Sequence, residues 1–136
     1  MIDLHSHMCT PHHNNGKYNN PADKIIREVA NLQGELDKRG LDLTLLEGQE
    51  VRLTEFLLTA IQRDEILFTD LDNTYLLIEF PTNEVPIYAE QVFYQLLNRG
   101  QVPVIVHPER NAVFREEPNR LVSFLEMGTL TQLTAP

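Results

Sequence analysis

Tryptophan is missing from the 136-residue chain, and Cys9 is its one cysteine. A single thiol cannot close an intramolecular disulfide, which points to a reducing compartment. Basic residues are scarce: 11 Lys and Arg stand against 20 Asp and Glu, for a net charge of −9. That balance argues against a nucleic-acid partner, because phosphate backbones are gripped by clustered Lys and Arg. No apolar run approaches the ~18 residues of a membrane span. The start, Met1-Ile2-Asp3-Leu4-His5, is not a basic-then-apolar leader either. Direct membrane insertion is therefore not expected, and a cytoplasmic location is. Cys9 also lacks the setting of a thiol-phosphatase nucleophile. That chemistry needs a phosphate-cradling loop leading to an Arg six residues on, where this chain has Asn15. Cys9 reads as a small buried residue.

What is present suits one globular domain over residues 1–136, with 42% hydrophobic and 23% charged residues. Ile2 to His5 alternates like a short strand, and Met8-Cys9-Thr10 resembles the end of another. A helix is predicted from Asn20-Pro21, with Asn20 as cap and Ile25, Ile26, Val29, Leu32 and Leu36 at helical spacing, stopping at Gly40. Strands are predicted at 41–46, 75–80, 102–106 and from 130, with helices at about 54–63, 86–99 and 118–127. Strands this apolar have no wet face. The alternation therefore predicts an α/β fold of parallel strands covered by helices, an open doubly wound sheet or part of a barrel. One stretch conflicts with this. Parallel neighbours need a crossover of about a dozen residues, and none fits between His7 and Met8.

In such folds reacting groups gather where strands end. His5 and His7 follow the first predicted strand, and His12 and His13 follow the second. Glu50 comes after the strand at 41–46, Glu79 lies near the end of 75–80, and His107 follows 102–106. A lone His or Glu at such a point is usually structural or solvated, so the weight falls on the joint pattern. Convergence of imidazoles and carboxylates from several strands builds a multi-metal hydrolytic site. The two histidines of His5-Ser6-His7 would point to one side of an extended segment. Glu79, inside an apolar strand, needs a cation or an Arg partner to offset its burial. Mixed His and carboxylate ligands suit Mn, Fe or Zn rather than Ca. Arg110, three residues after His107, could hold a phosphate with its planar fork.

The stretches MIDLHSH at 1–7, TPHHNNGKY at 10–18, GQEVR at 48–52, YLLIEFP at 75–81 and VIVHPERN at 104–111 resemble the polymerase and histidinol phosphatase (PHP) superfamily. Within it they are most similar to the bacterial manganese-dependent protein-tyrosine phosphatases of capsule and exopolysaccharide clusters. The resemblance runs along essentially the whole chain. It implies a distorted PHP-type β/α barrel of seven units, incomplete here, with up to three divalent cations. Manganese is the implied metal, with Fe, Zn or Mg as alternatives. The implied ligands are His5, His7, His12, Glu50, Glu79 and His107, with Glu79 bridging two cations. Arg110 is the implied catalytic and phosphate-binding residue. His13 matches a variable position and is left out. The implied reaction is hydrolysis by metal-activated water without a phospho-enzyme. The implied substrate is the phosphotyrosine tail of a tyrosine autokinase that controls polysaccharide export.

Two departures from the family accompany these matches. Between His7 and Met8 the family has a loop, a helix and most of a strand, and beyond Pro136 it has further sequence with a late Asp-x-His pair. These departures motivate a second reading, a non-catalytic remnant that binds metal or a partner; a third keeps the fold and changes the substrate to a small phosphomonoester. Uncovered strand edges also predict association into homo-oligomers.

Overall fold

A computed structural model of the chain describes residues 5–135. Strand β1 (Ser6–Cys9) leads almost directly into β2 (His12–His13), and helix α1 (Ala22–Lys38) follows. Next come β3 (Thr44–Glu47), β4 (Glu50–Arg52), α2 (Leu57–Gln62), β5 (Tyr75–Glu79), α3 (Ala89–Asn98) and β6 (Val102–Val106). A 3-10 turn (Pro108–Arg110), α4 (Ala112–Glu116), α5 (Pro118–Met127) and β7 (Leu130–Gln132) complete the described chain. The predicted helix at 118–127 and strand at 102–106 match residue for residue. The others shift by one to three residues at their ends, where helices fray and turns compete.

Every strand pairing is parallel, as the apolar strands predicted. The order is β2-β4-β5-β6-β7, with β1 beside β3 in a two-stranded sheet. The two sheets form nearly one surface, because Gly48 N–H donates to the Cys9 carbonyl (2.9 Å) and Glu50 N–H to that of Pro11 (3.1 Å). The ladder breaks where Pro11 brings no donor. Gly48 passes so close to the neighbouring strand that a Cβ there would lie 3.0 Å from Thr10 Cγ2.

The N-terminal reading needs correction. Ile2, Asp3 and Leu4 lie outside the described residues, and His5 is in a turn. The strand runs through both His7 and Met8. Of the two strands suggested around that point, the second is described, as Ser6–Cys9, while the first falls mostly outside the described residues. Asn20 is not the α1 cap either. Pro21 takes that position without a side-chain bond, while Asn20 Nδ2 donates to the His12 carbonyl at 2.8 Å.

Alternation divides the sheet into two chemistries. Val51, Leu53, Leu76, Ile78, Phe80 and Ile105 point to the helix side and pack against Phe93, Leu96 and Phe124. Phe80 meets Phe93, Phe114 and Phe124 at centroid separations of 5.7, 5.2 and 5.5 Å, the tilted and edge-on contacts that aromatic quadrupoles favour. By the same alternation, His12, Glu50, Arg52, Leu77 and Glu79 share the opposite face. Among the described residues, no helix is long and apolar enough to cross a membrane.

Candidate metal centre

Four of the predicted residues meet at one rim of the sheet. The register sets His12 beside Glu50 and Arg52 beside Glu79. His107, just after β6, reaches the same point. One ligand atom from each of His12, Glu50, Glu79 and His107 lies within 4.8 Å of all the others. His12 Nδ1 is 3.3 Å from Glu50 Oε2 and 2.9 Å from Glu79 Oε2. His107 Nε2 is 3.4 and 3.3 Å from the same two oxygens.

These short distances are imidazole–carboxylate charge contacts and not well-directed hydrogen bonds. His12 Nδ1, Glu50 Oε2 and His107 Nε2 are buried with no hydrogen-bond partner. An unsatisfied buried polar atom costs roughly 1–3 kcal/mol, so three in one place call for a compensating group. Donor atoms held at about 2.1 Å from one cation stand roughly 3 to 3.5 Å from each other, close to the spacing between each imidazole and the two carboxylates here. Two imidazole nitrogens and two carboxylates therefore fit a divalent cation in both chemistry and separation.

Backbone geometry supports the same point. His107 has φ of +36°, the left-handed region that L-residues rarely enter, and it precedes Pro108, which disfavours helical backbone in the residue before it. Such strain persists only where the surroundings impose it. Here His107 N–H donates to the Gln132 carbonyl (2.8 Å). Buried Asn111 donates to the Pro81 and Glu84 carbonyls (2.7 and 2.9 Å) and accepts from Phe114 N–H. The final Asn of HPERN thus holds the turn that aims His107.

Glu79 has an Arg partner as well as its place in the cluster. Arg52 donates to Glu79 Oε1 through Nη2 (2.6 Å) and Nε (2.9 Å). The guanidinium occupies one oxygen and leaves Oε2 facing the imidazoles. Burial pushes the Glu79 carboxyl up, but His107, Arg52 and His12 outweigh it and hold the pKa down at about 2. The Glu50 and Glu79 carboxylates push His107 up to about 9. Without a cation the site is a compact array of opposite charges.

The sequence reasoning did not single out Arg52, although it is the last residue of GQEVR. It also passed over Gln49, which is fully buried. Gln49 donates to the Asn20 carbonyl (2.6 Å) and accepts from Leu67 N–H (2.9 Å), fixing the chain just before Glu50. Tyr18 was missed too. Its ring stacks on His12 at 6.2 Å, and Asn15 Oδ1 accepts from its N–H.

Arg110 is exposed and lines a cleft of about 210 Å³ together with His12, Tyr18, Arg52, Glu79 and His107. The structure does not bring His5 and His7 to this cluster. His5 Nδ1 lies 3.7 Å from Asp42 Oδ2, outside the group of four. His7 sits inside β1, not after a strand end, so alternation turns it away from Ser6 and Met8. It lines a surface hollow with Ile25, Val29 and Leu32 of α1. His13 likewise faces away from the cluster, and its Nδ1 accepts from Asn20 N–H (3.0 Å).

The sequence pattern of the family described as capsular polysaccharide synthesis, CpsB/CapC, matches residues 1–136. Tyrosine-protein phosphatase YwqE of Bacillus subtilis is 41% identical over 94% of this chain and 50% of its own length. The putative tyrosine-protein phosphatase CapC of Staphylococcus aureus is 38% identical over 94% of this chain and 50% of its own. A chain from the crystal structures of YwqE from Bacillus subtilis and CpsB from Streptococcus pneumoniae, described as unique metal-dependent tyrosine phosphatases, superposes with a TM-score of 0.87 and 40% identity. That alignment covers 95% of this chain and 52% of the other. The chain spans about half the length of the curated relatives it matches. A family match over all 136 residues and this structural likeness make the chain a member of the CpsB/CapC family of capsular polysaccharide synthesis.

Proposed function

We propose that the chain is a metal-dependent protein-tyrosine phosphatase. Its substrate in this reading is the phosphotyrosine tail of a bacterial tyrosine autokinase governing capsule or exopolysaccharide synthesis, on the cytoplasmic side. The proposed frame is an incomplete, distorted β/α barrel whose inner face is the His12, Glu50 and Glu79 side of the sheet. The supporting observation is the unpartnered trio of His12 Nδ1, Glu50 Oε2 and His107 Nε2 beside Glu79 Oε2.

His12, Glu50, Glu79 and His107 would hold the cation, with manganese as the first candidate. A divalent cation bound there lowers the pKa of water and offsets charge on phosphoryl oxygens. Arg52 fixes the Glu79 carboxylate through one oxygen so that the other keeps its aim. Arg110, at the cleft and with no ion pair within 4 Å among the described residues, would take two phosphoryl oxygens in its planar fork. Tyr18 lines the cleft beside the His12 ring. His5 and His7 stand outside this set.

The test is phosphate release from a phosphotyrosine peptide with manganese and with chelator. Manganese-dependent turnover, reduced roughly 100-fold in Arg110→Ala, is expected. Manganese binding without release would leave a metal-binding remnant. A clear preference for a small alkyl phosphomonoester would shift the substrate class.

A further inference from the structure

Behind Arg52 lies a second cavity, of about 350 Å³, at the same rim of the sheet. It belongs to neither the metal cluster nor the phosphate cleft. Two pairs of adjacent residues divide between the cavities: strand alternation sends His12 to the cleft and His13 to this pocket, and the left-handed turn at Asn14 (φ +59°) leaves Asn14 on the pocket and Asn15 on the cleft. Arg52 lines both, so the two spaces share a wall.

The floor of the pocket is apolar, from Val51, Leu57 and Ile66. Phe56 stands on its rim with 66% of its surface exposed, an uncommon place for a phenyl ring with no packing role. Inside, His13 is only 7% exposed. Because His13 Nδ1 accepts the Asn20 N–H, the ring carries its proton on Nε2, and among the described residues no acceptor meets that donor. The charges balance: Arg63 and Glu65 both line the pocket, and Arg52 is already neutralised by Glu79. A neutral pocket with an apolar floor, an aromatic rim and one unused N–H donor suits a ring better than an acid or a base.

Building on the phosphatase reading, we infer that this pocket is a substrate subsite taking an aromatic side chain close to the phosphotyrosine in the bound peptide. The peptide would cross Arg52 from the metal cleft, and the second ring would lie between Phe56 and the floor. A phenol oxygen there could accept from His13 Nε2.

The test compares two phosphotyrosine peptides, one with Phe and one with Ala beside the phosphotyrosine, on the manganese-loaded protein. The Phe peptide is expected to show a kcat/KM about tenfold higher, equivalent to one good aromatic contact. Phe56→Ala is expected to erase that preference while leaving turnover of the small substrate 4-nitrophenyl phosphate unchanged. Ala60→Leu, which fills the pocket, should act the same way. Equal use of both peptides by the wild type would overturn the subsite, as would loss of small-substrate turnover in Phe56→Ala together with the peptide. A readout without turnover separates this inference from the phosphatase reading. In the zinc-loaded protein, methyl resonances of Leu57 and Ala60 should move with the Phe peptide and not with the Ala peptide. Shifts of that kind with no turnover would refute the phosphatase and keep the subsite, whereas turnover without them would do the reverse.

Discussion

Replacing Glu79 by Gln perturbs the site most sharply, because one carboxylate serves Arg52 on one oxygen and two imidazoles on the other. Its pKa falls from the ordinary 4.5 to about 2. At about 1.36 kcal/mol per pKa unit, the ionised form is favoured in the folded state by about 3 kcal/mol. Breaking a buried ion pair by removing one partner costs a similar amount, about 3–5 kcal/mol. The side chain is only 8% exposed, so solvent screening removes little of it. Glu79→Gln in chelator at pH 7 should therefore lose about 3 kcal/mol and melt roughly 10 °C lower. The sign with pH follows from the lowered pKa. The contribution is present above about pH 4.5 and is lost as pH falls towards 2, so the deficit of the variant should shrink across that window. Circular dichroism melts of both proteins at pH 7 and pH 3 measure it. A variant that melts within 2 °C of the wild type at pH 7, roughly half a kcal/mol, would refute the account of Glu79 as the electrostatic hub.

Three further outcomes are expected. Manganese at about 100 times its Kd should add roughly 2.7 kcal/mol of stability and raise the melting temperature; an equal rise in His107→Ala would refute its place among the ligands. Phe124→Ala should cost about 3–5 kcal/mol in urea unfolding, since Phe124 is buried against Phe80, Phe93 and Phe114, whereas half-exposed Val122→Ala should stay within about 0.5 kcal/mol. The exposed leucines Leu46, Leu130 and Leu133 should promote association, giving a light-scattering mass above that of a monomer; a clean monomer with one cooperative melt would count against it.

Much of the architecture was legible because strand and helix periods are strong signals in this chain. The run from Tyr75 to Glu79 is nearly all apolar and is buried on both faces except at its start, which is what a central parallel strand requires. The short pieces were less legible. His12–His13 and Glu50–Arg52 are too brief to show a period, and they exist because Pro11 and Gly48 interrupt a longer ladder. α4 was missed for a related reason. It has five residues, and its signal is Asn111, whose side chain caps Phe114 N–H. Asn111 had been noticed only as the end of a motif.

The site divides along the same line. His12, Glu50, Glu79 and His107 were found because each lies at or near a strand end, and strand ends of a parallel sheet share one rim. For His5 and His7 the same argument needed a strand that stopped at His5. The described strand instead begins at Ser6, after a turn at His5, and runs through Met8 and Cys9, paired with Thr44–Glu47 in register. Once His7 is inside a strand, period-two alternation decides its direction. His7 then faces the α1 side, and Ser6 and Met8 face the other. A spacing of two residues guarantees that two side chains share a face, but it does not say which face or at what height along the strand. Height is set by where pairing begins, and that depends on the partner Thr44–Glu47, almost forty residues later in the chain. The same pairing delivers His12 level with Glu50. The register that takes His7 away from the cluster is therefore what puts His12 into it.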